Sequence, residues 1–234
     1  MKVIILCGGK GTRLSEETKI IPKPLVRIGN KPILVHIINY YKKFGFNDFI
    51  IPVGYKGYLI KEYFSKSNFD KNIKIVDTGL NAMTGRRLLK LKNFFKVNEN
   101  FMLTYGDGLS DVDISKTLKF HLKHKKIATL TAVRPPVRFG ELRLKKTKVT
   151  KFMEKTQTKT GWINGGYFIL NQKVFSYINK KNEMFEKEPI TRLVKNSQVK
   201  AFKHNGFWQC MDTLRDKEYL NKLYTIKKTP WIKK

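Results

Sequence analysis

Lys2-Val3-Ile4-Ile5-Leu6-Cys7-Gly8-Gly9-Lys10-Gly11-Thr12-Arg13 opens the chain, and its reading decides the fold. An apolar, partly β-branched run that stops at two glycines is the pattern of a buried strand passing into a loop. In open α/β sheets, ligands sit just beyond the carboxyl ends of strands, so a glycine loop here is placed to take a phosphate. Glycines let backbone N–H groups close around phosphate oxygens with no Cβ in the way. The loop lacks the spacing and terminal Lys-Ser/Thr of a P-loop, and it lacks the third glycine of a dinucleotide fingerprint. Taken alone, it reads equally well as a tight turn at a strand exit. Further on, Pro22-Lys23-Pro24 holds a lysine between two prolines. Prolines fix φ and stiffen the segment, so the Lys23 ammonium is presented with little entropy left to lose. A rigid cation close to a glycine loop shifts the reading toward phosphate binding.

Outward from that loop, short apolar runs alternate with helical spacing. Strands are predicted at Phe49 to Val53, Ile73 to Val76, Phe101 to Tyr105 and Ala128 to Val133. Helices are predicted at Pro32 to Phe44, Lys56 to Phe64, Gly85 to Phe95 and Ile114 to His124. Closely spaced strands follow at Gly140 to Leu144, Val149 to Met153 and Gly166 to Leu170. The chain then continues with helical stretches at Val174 to Ile178 and Phe185 to Lys195, a strand at Val199 to Phe202 and a last helix from Leu214 to Tyr224. This alternation predicts an α/β fold, a Rossmann-like three-layer sandwich with a mostly parallel mixed sheet, formed by residues 1–234 as one domain.

With 234 residues, 41% hydrophobic and 12% aromatic, the chain has material for a packed core, which excludes disordered and fibrous classes. No apolar run approaches the roughly 18 residues of a membrane span, and the opening run ends too soon for a signal-peptide core. Two cysteines, Cys7 and Cys210, make no disulfide scaffold, so a cytoplasmic location is expected. The net charge is +30, from 39 lysines and nine arginines against 18 acidic residues. Such basicity suggests a nucleic-acid binder. Lysine, however, is a hydrated point charge and not a fork for base edges, and here it is spread along the whole chain. Solvated faces account for it as well as a binding groove does. Nucleic acid is therefore not the expected partner, although attraction to a triphosphate follows from the charge.

The motif Leu6 to Leu14 followed by Pro22-Lys23-Pro24 resembles the signature of sugar-phosphate nucleotidyltransferases. Further stretches narrow the resemblance to the glucose-1-phosphate cytidylyltransferase family. They are Gly54-Tyr55-Lys56-Gly57, Val76-Asp77-Thr78-Gly79, Met83-Thr84-Gly85, Tyr105-Gly106-Asp107-Gly108, Ile163-Asn164-Gly165-Gly166 and Met211-Asp212-Thr213. They run in order over nearly the whole chain. The resemblance implies a nucleotide-diphospho-sugar transferase fold, with a nucleotide-binding part over roughly residues 1–110 and a sugar-phosphate-binding part over roughly 111–234. The implied reaction joins CTP and glucose 1-phosphate into CDP-glucose and pyrophosphate by in-line attack on the α-phosphorus. UTP or dTTP, or another phosphorylated acceptor, remain alternatives.

The resemblance also implies residue roles. Arg13 and Lys23 act on the reacting phosphates. Leu6, Cys7, Gly8, Gly9, Lys10, Gly11, Thr12, Arg87 and Gly106 complete the nucleotide site. Lys155, Asn164 and Gly140 form the sugar-phosphate site, although Thr156 stands where the family has proline and Arg86 where it has glycine. Asp107 and Asp212 hold Mg²⁺, which prefers carboxylate, phosphate and water oxygens. Read without the resemblance, Asp212 is equally a helix cap and Asn164 a strand-entry turn. His36 reads as a core residue and the cysteines as small packing residues. Between Phe64 and Asp77 the family carries a longer excursion than the short link Ser65 to Asn72 here. A homo-oligomer smaller than the family's is the corresponding expectation.

Overall fold

The computed structural model describes residues 1–66, 72–136, 141–153 and 161–232. In chain order the elements begin with β1 (Lys2–Leu6), α1 (Ser15–Thr18), β2 (Arg27–Ile28), β3 (Lys31–Pro32) and α2 (Ile33–Lys43). They continue with β4 (Asp48–Val53), α3 (Gly57–Lys66), β5 (Ile73–Asp77), α4 (Thr84–Leu89), β6 (Asn100–Tyr105) and β7 (Gly108–Ser110). Then come α5 (Ile114–His124), β8 (Ala128–Val133), β9 (Glu141–Lys145), β10 (Lys148–Met153) and β11 (Ile163–Asn171). The last elements are α6 (Glu188–Lys195), β12 (Val199–His204), β13 (Trp208–Cys210) and α7 (Leu214–Thr225).

Among the described residues, the central sheet has seven strands in the order β12-β8-β11-β6-β1-β4-β5. All neighbours are parallel except β11, which is antiparallel to both β6 and β8. The single reversal matters for function. The amino-terminal end of β11 lies at the same edge as the carboxyl ends of its neighbours, so Asn164 joins the loops that follow β1, β5 and β6.

The sheet is buried on both faces, and in β1 and β4 the successive side chains Val3 to Leu6 and Phe49 to Val53 are all apolar. Val3 and Ile5 of β1 pack with Ile33, Ile37 and Tyr41 of α2, Ile60 of α3 and Leu220 of α7. Ile4 and Leu6 face the other way, against Leu88 of α4, Phe175 and Leu193 of α6. The result is the predicted three-layer arrangement.

Several boundaries differ from the sequence reading. The helix predicted from Gly85 to Phe95 is α4 followed by a separate 3₁₀ turn at Lys92–Phe94, and 174–178 lies within a 3₁₀ stretch, Gln172–Tyr177. The two-stranded pairs β7–β13, β2–β3 and β9–β10 stand apart from the main sheet. The first two were not anticipated.

Candidate active site

A cleft of about 920 Å³ opens at the carboxyl edge of the sheet, lined by residues 6–13, Lys23, Thr84, Arg87, Tyr105 to Asp107, Asn164, Glu186, Cys210 and Asp212. The glycine loop enters it directly from β1. Gly11 has φ +65°, in the left-handed region that glycine adopts without cost. A Cβ at Gly8 would stand 2.2 Å from the Arg87 Cζ, so that position admits only glycine.

At the centre, Lys23 lies on a 3₁₀ turn, Lys23–Leu25, started by Pro22 at φ −67°. Its Nζ donates to Asp107 Oδ2 at 2.7 Å and to Asp212 Oδ1 at 2.6 Å. Arg13 reaches the other oxygen of Asp212 at 2.6 Å, with its side chain 69% exposed toward the cleft. Burial works to lower the Lys23 pKa, but the Asp107 charge and hydrogen bond, then those of Asp212, raise it overall. Burial likewise works to raise Asp212, and Lys23 with Arg13 outweighs it, holding the carboxyl below its ordinary range.

The two aspartates meet because of a pairing that the sequence hides. Strand β13 runs antiparallel to β7 with Cys210 opposite Gly108, and the Met211 N–H donates to the Asp107 carbonyl at 2.8 Å. Asp212 is not the cap of the last helix. Thr213 caps α7 in a capping box with Asp216, whose carboxylate also accepts the Asp212 N–H at 3.1 Å and so fixes that segment.

Arg87 lines the cleft yet is buried, at 3% exposure. Its Nη1 donates to Val53 O, Thr78 Oγ1 and Gly79 O at 2.9, 2.6 and 2.9 Å, and its Nη2 to Gly8 O at 2.7 Å. One guanidinium therefore joins the glycine loop, the end of β4 and the turn after β5. Desolvation lowers its pKa, with Asp77 opposing.

Asn164 forms the strand-entry turn and also stands on the cleft wall. Its Oδ1 accepts the Gly166 N–H at 2.9 Å, and it lines the cleft. Cys7 is buried and Cys210 half-buried, both are free thiols, and Cys210 Sγ contacts Asp212 Oδ2 at 3.6 Å. His36 is a core residue: Nε2 meets Ile28 O at 2.9 Å, and Nδ1 accepts from Trp231 at 3.3 Å. Lys155 and Gly140 lie outside the described residues. Sequence reasoning missed Tyr105, Thr84 and Glu186 as a hydrogen-bonded group on one wall of the cleft. Tyr105 and Thr84 fell within quoted motifs, but no signal marked Glu186.

The nucleotidyl transferase family model matches residues 2–223. The chain belongs to that family. This nucleotidyl transferase is 46% identical over 253 residues to the glucose-1-phosphate cytidylyltransferase of Salmonella typhimurium, covering 99% of this chain and 98% of the relative. It is 39% identical to the probable glucose-1-phosphate cytidylyltransferase of Bacillus subtilis, covering 99% of each. Among solved structures, HddC from Yersinia pseudotuberculosis superposes with a TM-score of 0.76 at 26% identity, over 95% of this chain and 99% of that one.

Proposed function

We propose that this nucleotidyl transferase is a glucose-1-phosphate cytidylyltransferase, forming CDP-glucose and pyrophosphate from CTP and glucose 1-phosphate. The observation that carries the reading is the Asp107–Lys23–Asp212 constellation beside the glycine loop, in a chain so similar over its full length to cytidylyltransferases. A phosphate oxygen of the sugar 1-phosphate is already ionised at neutral pH, so no general base is required. It attacks the α-phosphorus of CTP, the new P–O bond forms as the bond to the β-phosphate oxygen breaks, and pyrophosphate leaves with that electron pair. Positioning and charge cancellation are the whole task of the site. Lys23 neutralises the α-phosphate, Arg13 forks two phosphate oxygens, and the glycine-loop amides hold the triphosphate.

The two carboxylates also fit a divalent cation. One ammonium nitrogen already sits at 2.7 and 2.6 Å from an oxygen of each, so the pair presents a cation-sized position. Asp107 and Asp212 would hold Mg²⁺, which, when bound, neutralises charge on the polyphosphate. The test is product formation. CDP-glucose and pyrophosphate should appear in equal amounts from CTP and glucose 1-phosphate with Mg²⁺, and chelation should stop both. Pyrophosphate without CDP-glucose, or undiminished turnover after chelation, would contradict the reading.

A further inference from the structure

Glu186 stands on the cleft wall between Thr84 and Tyr105. Thr84 Oγ1 donates to its Oε2 at 2.6 Å, and the Tyr105 hydroxyl donates to its Oε1. The Tyr105 ring packs against Gly166, two residues after Asn164, so closely that a Cβ there would come within 2.4 Å. Three hydrogen-bonded side chains, Thr84, Glu186 and Tyr105, thus run along the wall from the start of α4 toward the start of β11, where Asn164 also lines the cleft. The segment carrying Glu186 is fixed in place before any substrate arrives. Asn182 Oδ1 accepts the Met83 N–H at 2.7 Å, Glu183 O accepts the Gly85 N–H at 3.0 Å, and the Phe185 N–H donates to Thr84 Oγ1 at 2.8 Å.

The charge of Glu186 is what needs explaining. The other carboxylates of the cleft, Asp107 and Asp212, are paired with Lys23 and Arg13, and Lys10 adds a further cation. Among the described residues, Glu186 has hydroxyl partners and no ion pair, and no cluster of three possible metal ligands includes it. A carboxylate without a counter-ion repels phosphate and binds hydroxyl donors strongly. Each of its oxygens has about two acceptor positions, and the protein fills one on each. Two adjacent acceptor positions match two adjacent hydroxyls.

We propose that Glu186 is the specificity-determining residue for the acceptor, taking two neighbouring ring hydroxyls of the sugar phosphate. The inference rests on the sugar-phosphate transfer proposed above. The ribose of the nucleotide offers the same vicinal diol. The packing of Tyr105 on Gly166, beside Asn164 at the start of β11, favours the acceptor ring.

The experiment compares wild type with Glu186→Gln, which keeps the shape and one oxygen acceptor. Steady-state kinetics are measured with glucose 1-phosphate, with analogues each lacking one ring hydroxyl, and with deoxyribose analogues of CTP. For Glu186→Gln, KM for glucose 1-phosphate should rise about 10- to 100-fold while KM for CTP stays within about twofold. Two adjacent deoxy positions should each cost wild type about tenfold and cost the variant little. Equal penalties in both proteins on every deoxy sugar overturn the proposal. So does a change confined to the deoxyribose analogues, which would give the diol to the nucleotide. If Glu186→Gln lowers the melting temperature markedly, Glu186→Asp is read on the same panel. The gain in affinity of CDP-glucose over CDP reads the contact without turnover. Its loss in the variant supports the role of Glu186 and its retention overturns it. A wild type that binds CDP-glucose yet transfers nothing counts against the transferase reading alone.

Discussion

Lys23 stands between two carboxylates whose other use is to hold a cation, and that position gives the residue two separable effects. Its side chain is 10% exposed and bridges both aspartates, whereas Lys10 projects from the loop into solvent. Lys23→Met should lower turnover by about 10²- to 10³-fold, the usual effect of removing one preorganised donor, and by far more than Lys10→Ala. The same variant should bind Mn²⁺ more tightly than wild type in the absence of nucleotide, because the competing ammonium is gone. Electron paramagnetic resonance of free Mn²⁺ measures this, and unchanged or weaker binding would contradict the geometry. At this scale the sequence showed Lys23 well, since two prolines brace it. Its partners were legible only as motifs. Nothing local to Asp107 or Asp212 says that one ammonium joins them.

Among the elements, Arg87 joins the glycine loop to β4 and the turn after β5, so its replacement acts on three segments at once. Lysine reaches one acceptor where the guanidinium reached several. Arg87→Lys should therefore lower stability by about 3 kcal/mol and raise KM for the nucleotide, as buried carbonyls of Gly8, Val53 and Gly79 lose their donor. Denaturant melts and nucleotide titration check the two halves of this statement.

Helix α5 meets β8 through a directed relay. The Lys126 N–H donates to His124 Nδ1 at 2.9 Å, so His124 Nε2 donates to Thr129 Oγ1 at 2.7 Å, and that hydroxyl donates to His121 Nδ1 at 2.8 Å. Burial first, then His124, depresses the His121 pKa from 6.5 to about 4. Above pH 6.5 both folded and unfolded chains hold it neutral. Between pH 6.5 and 4 the unfolded chain takes up the proton and the folded one resists it. Stability should fall by about 2–3 kcal/mol across that interval, and His121→Gln should flatten the dependence. Strands such as β1 and β8 were legible because five or six residues in a row are rich in apolar and β-branched types. The pair β7–β13 has three residues a side, too few for periodicity to register, yet it brings the aspartates together.

At the scale of the whole molecule, the comparison with the Salmonella enzyme extends over 253 residues, although this chain has 234, so that relative carries segments with no counterpart here. Helix α3 runs through Lys66 and β5 begins at Ile73, leaving no room for a long excursion between them. The residues of the Lys23 centre lie elsewhere, so the chemistry should survive while assembly changes. Like-charged subunits at +30 repel unless the interface is large and apolar. Light scattering at moderate salt should find a monomer or dimer, and a stable higher oligomer would contradict this. The alternation of strands and helices made the three layers legible. The antiparallel entry of β11, which carries Asn164 to the active edge, was not, because direction depends on pairing partners and not on residue pattern.

Base and sugar selectivity test the central claim most directly. Pyrophosphate release should be measured as kcat/KM for CTP, UTP, dTTP and GTP, each with glucose, mannose and galactose 1-phosphates, in the presence of Mg²⁺. The account predicts that CTP with glucose 1-phosphate is the best pair by at least about tenfold, a difference of roughly 1.4 kcal/mol in transition-state binding. A wide margin for UTP, dTTP or GTP, or for another sugar phosphate, would contradict it.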